Sequence, residues 1–175
     1  MRISKLRYFF PLGLLISLLL DGIFSNLFAA NFFQVNSSIE SRLIVVWLVM
    51  ALCFGEIDHP YLWSIIAGAI FDAYYTGIIG PMIMLLPLIV YLTLLMFRFF
   101  TPSFIVVLLI CLIDITVITF LFYGIFSLIS YTDVSVATFI GETLGPTLAY
   151  NLAAFVILYL PLKKFFEHFS QNRSA

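Results

Sequence analysis

The chain has 175 residues, of which 63% are hydrophobic and only 10% charged, with a formal net charge of −1. Long apolar runs alternate with short polar breaks, leaving no soluble module to hold a catalytic site and no basic patch to meet nucleic acid. Hydrocarbon admits only helices or closed barrels, and these runs are continuous rather than alternating, so the composition implies an all-α membrane bundle.

In chain order, the sequence predicts one integral membrane domain over residues 1–175, with helices at about 8–30, 40–55, 61–76, 81–97, 103–130 and 139–162. Arg2, Lys5 and Arg7 precede the first span. Its length and the acid Asp21 argue against a cleaved signal peptide, and Leu27-Phe28-Ala29-Ala30 is a poor cleavage site. A polar stretch, Asn31 to Ser41, leads into the second span. That span ends at Glu56-Ile57-Asp58-His59-Pro60, where polar residues meet a helix breaker. Gly77, Gly80 and Pro81 turn the chain after the third span, and Arg98 to Pro102 closes the fourth. Tyr131 to Thr138 separates the fifth from the sixth, which ends at Lys163-Lys164.

With the N-terminus inside, seven of the eight Lys and Arg residues become cytosolic, and only Arg42, close to Glu40, lies outside. The expected topology is therefore six spans with both termini in the cytosol. Tyr8, Phe9, Tyr61, Trp63, Tyr74, Tyr75, Phe99, Phe100, Phe165 and Phe166 fall where interfacial aromatic belts are expected. Cys53 and Cys111 are too far apart in depth to suggest a disulfide.

Acids inside the apolar runs are the sharpest local signal, each costing about 2.5–3.5 kcal/mol at a helix centre. Asp21 falls in the first span, Asp72 in the third, Asp114 in the fifth and Glu142 in the sixth, with no Lys or Arg within a span to pair with them. They are expected to be neutral or hydrogen-bonded to hydroxyls and amides. They could be interior packing groups, docking points for a partner helix, or steps on a proton or substrate path. If Asp72 is a packing or docking carboxyl kept neutral, Asn is expected to substitute and Lys to fail, whereas loss of activity in an inserted Asn variant would point to proton exchange.

Small residues are the second signal. Gly13, Ser17, Asp21, Ser25 and Ala29 recur every fourth position in the first helix, as do Gly141, Gly145, Ala149 and Ala153 in the sixth. Such stripes let helix backbones approach closely, either inside the bundle or against another protein. With Asp21 in its stripe, the first helix is the expected partner surface. Pro146 should kink the sixth helix, leaving Thr147 and Asn151 to satisfy displaced groups or to reach Asp114. His59 and His168 lack metal-ligand spacing, no phosphate-binding glycine loop is present, and no cofactor or catalytic residue is expected.

Across nearly its whole length the chain resembles the rod shape-determining protein MreD family. The resemblance rests on Gly68-Ala69-Ile70-Phe71-Asp72 followed by Gly77 and Gly80, and on Pro146-Thr147 with Asn151 ahead of Lys163-Lys164. Many members carry a polar residue where this chain has Phe71. The resemblance implies a non-enzymatic scaffold of the bacterial cell-elongation machinery in the cytoplasmic membrane. It also implies MreC as partner, alongside the peptidoglycan polymerase and transpeptidase. Gly68, Asp72, Gly80, Pro146 and Asn151 would be fold or partner determinants. A substrate-binding membrane subunit of an energy-coupling-factor vitamin transporter has similar length and helix number. An outer pocket with convergent polar and aromatic groups would favour that alternative.

Overall fold

The computed structural model describes residues 6–27, 33–34 and 37–171, and all the long elements are helical. They are α1 (Leu6–Leu27), α2 (Leu43–Phe54), α3 (Pro60–Phe71), α4 (Pro81–Phe99), α5 (Phe104–Leu128), α6 (Val136–Phe139) and α7 (Gly145–Gln171). Four stretches are long and apolar enough to cross a bilayer: Tyr8–Leu27, Pro81–Phe99, Phe104–Leu128 and Val136–Phe169. Leucine, isoleucine and phenylalanine side chains cover the outside, including Leu12, Ile105, Leu128 and Ile157. An apolar exterior on this scale is the reverse of a soluble protein and identifies an all-α membrane protein.

Two predicted helices differ in build from the sequence expectation. The stretch 61–76 is a helix only to Phe71 and then widens into a π-helical turn, Asp72–Thr76, closed by the Gly77 N–H donating to the Asp72 carbonyl at 2.8 Å. The last span is broken too: α6 passes into a π turn, Ile140–Leu144, before α7 begins. Pro146, with no N–H to offer the carbonyl four residues back, accounts for the break at that place. A two-residue antiparallel pairing, β1 (Phe33–Gln34) with β2 (Ser37–Ser38), was not anticipated. Arg2, Lys5, Ala29, Ala30 and Arg173 lie outside the described residues.

The centre of the bundle is α2. It has 12 residues, eight of them buried, and touches α1, α4, α5 and α7. At 1.5 Å per residue it is only about 18 Å long, against roughly 30 Å of hydrocarbon. The predicted start at residue 40 is therefore too early: Glu40, Ser41 and Arg42 are not helical, yet Ser41 and Arg42 are buried. Non-helical backbone at this depth is tolerated only where protein groups satisfy it. The polar residues of the other helices do that.

Candidate functional site

Asp21 on α1 is the first such group. One carboxylate oxygen, Oδ1, accepts from the Ser41 hydroxyl at 2.6 Å and from the Leu43 N–H at 2.7 Å; the other accepts from the Ile44 N–H at 3.0 Å. The first N–H groups of a helix have no partner within it, and a carboxylate there also faces the positive end of the helix dipole. Asp21 thus caps α2 from a neighbouring helix.

Thr147 and Asn151, one turn apart on α7, hold the residues just before. The Thr147 hydroxyl accepts from the Glu40 N–H at 3.0 Å, and Asn151 Oδ1 accepts from the Arg42 N–H at 2.9 Å. Asn151 Nδ2 donates to the Glu40 carbonyl and to the Thr147 carbonyl, each at 2.8 Å. Of the two expectations for this pair, satisfying displaced backbone groups is what the structure shows, and the contact with Asp114 is absent. The displaced groups belong to the segment before α2 rather than to the α7 kink.

Asp72 repeats the device one hairpin later. It is fully buried and accepts the N–H groups of Gly80 (2.9 Å), Met82 (3.1 Å) and Ile83 (3.2 Å), at the start of α4. Gly80 has φ of +139°, a conformation that an L residue resists. A Cβ on Gly68 would lie 2.4 Å from the Met82 carbonyl oxygen, so α3 and α4 meet backbone to backbone there. Gly68, Asp72 and Gly80 are therefore one structural unit. Both carboxylate oxygens of Asp72 face donors, which argues against the expectation that Asn could replace it: an amide NH₂ in place of either would confront a backbone N–H.

Asp114 is built differently. Its Oδ2 meets the Thr93 hydroxyl at 2.6 Å, and its Oδ1 has no hydrogen-bond partner. Glu142 lies in the second π turn, half-buried. Among the described residues, no group of three His, Cys, Asp or Glu side chains could hold a metal ion.

The two small-residue stripes face in different directions. Gly13 lies against the Trp47 ring, where a Cβ would come within 2.0 Å, while Ser17 and Asp21 are buried and Ser25 is half-buried. The described part of that face of α1 points into the bundle. Gly141, Gly145, Ala149 and Ala153 are all exposed, and a Cβ on Gly141 would touch nothing. The aromatic belt needs one correction as well: Phe166 is fully buried and packs on Trp47 with ring centroids 4.8 Å apart.

Around the Glu40–Arg42 segment the helix ends leave a cavity of about 620 Å³, lined by Asp21, Ser25, Asn26, Arg42, Tyr75 and Phe122 among others. Sequence reasoning missed Arg42 as an interior residue. It is 3% exposed, paired with Glu40, and its guanidinium lies 5.4 Å from the Phe122 ring centroid.

The arrangement is thus a set of buried polar side chains that tie broken helices together at one end of the bundle. The model of the family described as rod shape-determining protein MreD matches residues 6–169. The chain belongs to the MreD family. It is also 26% identical over 160 residues to the rod shape-determining protein MreD of Bacillus subtilis (strain 168), covering 91% of this chain and 93% of that protein. No solved structure matches it significantly. In this MreD family member Asp72, Gly80, Pro146 and Asn151 lie where a helix starts or breaks or hold such a place, and Gly68 lies where α3 and α4 cross closely. Membership supports a role in determining rod shape, performed from the membrane.

Proposed function

We propose that this chain is a non-enzymatic, six-span scaffold of the bacterial cell-elongation machinery. In this reading it sits in the cytoplasmic membrane with both termini in the cytosol, and binds MreC and the wall-synthesis enzymes. The observation that carries the reading is the family match, which takes in every helix from α1 to α7. Charge supports the orientation. Lys163 lies over the Phe54 ring, at the end of α2 opposite Arg42, and Arg98 occupies the last turn of α4. The basic residues of the described helices thus gather at one end, with the Arg42–Glu40 pair at the other.

A single-span partner needs a face where backbones can approach, since lipid offers little hydrophobic drive for association. The exposed stripe Gly141, Gly145, Ala149 and Ala153 suits that contact better than the inward stripe of α1. Gly145→Leu with Ala149→Leu should weaken co-purification of MreC, leave the protein inserted, and make dependent cells rounder. A cytosol-active reporter should give signal after Ala175 and none near Ser37. An undiminished MreC complex would remove the partner face from α7, and reversed reporters would remove the topology.

The cavity beside Arg42 favours a second reading, a substrate-binding subunit of an energy-coupling-factor vitamin transporter. Vitamin uptake by the purified protein, with no change in cell shape on deletion, would establish it in place of the first.

A further inference from the structure

We propose that the cavity beside Arg42 binds a small molecule of net negative charge that carries a phosphate group, its phosphate accepting hydrogen bonds from the Arg42 guanidinium. The cavity's volume of about 620 Å³ falls within the range of roughly 300–1,000 Å³ common for small-molecule sites. Its wall mixes two chemistries. Ser25, Asn26 and Tyr75 offer neutral polar groups to a headgroup, and Phe71 and Phe122 offer apolar surface to a hydrocarbon part.

Arg42 is what selects an anion. Its side chain is 4% exposed, and its Nε makes no hydrogen bond. The backbone N–H is held by Asn151 and the guanidinium rests on Phe122, so the cation is fixed in the wall. The donor available to a ligand is the Nη2 group that now holds Glu40, and a planar guanidinium at low dielectric suits phosphate, which can take several donors at once.

Two carboxylates share the wall, and neither prevents this. Both oxygens of Asp21 are committed to Ser41 and to the first N–H groups of α2. Glu40 pairs with Arg42, but its side chain is 29% exposed. It is the more exposed half of the pair, and a phosphate entering the cavity takes its place on the guanidinium. The phosphate could belong to a lipid headgroup or to a soluble molecule. The inference does not depend on which end of the bundle faces the cytosol.

The test titrates the full chain in neutral detergent with dihexanoyl phosphatidylglycerol and with glycerol 3-phosphate, using dihexanoyl phosphatidylcholine as control. Saturable binding of an anionic probe is expected, weakened about 10-fold or more in Arg42→Gln, the loss of one charge-assisted contact. Glu40→Gln should bind more tightly than the parent, because the competitor for the guanidinium is gone. This variant keeps the backbone contacts of residue 40 to Thr147 and Asn151, so it remains decisive if Arg42→Gln fails to fold. Binding of the lipid alone assigns the site to a headgroup, and binding of glycerol 3-phosphate assigns it to a soluble phosphate. The proposal is overturned if neither anionic probe saturates, if phosphatidylcholine binds equally, or if Glu40→Gln leaves the affinity unchanged.

Discussion

Asp21 and Asp72 play the same part in successive hairpins: each projects from one helix and accepts the first free N–H groups of the next. The sequence separation differs, 22 residues from Asp21 to Leu43 and 10 from Asp72 to Met82. The chemistry does not. Each is an acceptor-only group in a place where every neighbour donates, in a solvent with no water to substitute.

Asparagine should therefore fail at both positions. Asp21→Asn and Asp72→Asn each turn one acceptor oxygen into a donor facing backbone N–H groups, at a cost of about 1–3 kcal/mol. Thermal unfolding in detergent should show a lower midpoint for each, with Asp→Ala no milder. An unchanged midpoint would mean that the carboxylate contacts do not stabilise the fold.

Asp114→Asn should behave differently. One oxygen of Asp114 meets the Thr93 hydroxyl and the other has no partner, so an amide keeps the contact and introduces no clash of donors. A shift well under 1 kcal/mol is expected, in the range of about 0.6 kcal/mol typical of hydrogen bonds within membranes. The same unfolding assay decides it, and a loss matching that of Asp72→Asn would contradict the distinction.

Glycine replacement separates a tight crossing from an open face. Gly68→Ala puts a methyl group 2.4 Å from the Met82 carbonyl, and backbone there cannot move aside without lifting α4 from Asp72. Overpacking of this kind costs about 1–3 kcal/mol or more. Gly141→Ala meets nothing within 4 Å and should leave stability within about 0.5 kcal/mol of the parent. Expression and unfolding of the two variants side by side provide the comparison.

The membrane class, the approximate helix positions and the buried acids could all be read from the chain, because apolar runs and charged interruptions are local properties. The shape of the second hairpin was half-legible: Gly68, Asp72 and Gly80 stand out in sequence, and their neighbours are near. What Asp21 and Asn151 do was not legible. Their partners are main-chain atoms of residues 40–44, and any residue type supplies an N–H. A repeat of small residues likewise fixes a face but not its direction, which is why the inward turn of the Gly13 stripe and the outward turn of the Gly141 stripe were not legible. The burial of Arg42 was not legible for a related reason: it depends on Phe122 and Asn151, distant in sequence.

Removing the α7 contacts should loosen the segment before α2. In Asn151→Leu the Glu40 carbonyl and Arg42 N–H lose their partner, leaving two polar groups to find others. A cysteine at Ile39 should then react faster with a membrane-impermeant maleimide than the same cysteine in the parent chain. Equal rates would show that Asp21 alone holds the segment.

The bonds from Thr147 and Asn151 to Glu40 and Arg42 join positions 107 to 111 residues apart. During synthesis, the start of α2 is made long before the side chains that complete it. Until α7 emerges, those peptide groups must be shielded by the insertion machinery or by other chains, since lipid cannot solvate them. Shortened chains ending before Thr147 would keep that backbone unsatisfied at membrane depth. Completion of α7 is thus a condition for the start of α2 to have its polar groups satisfied.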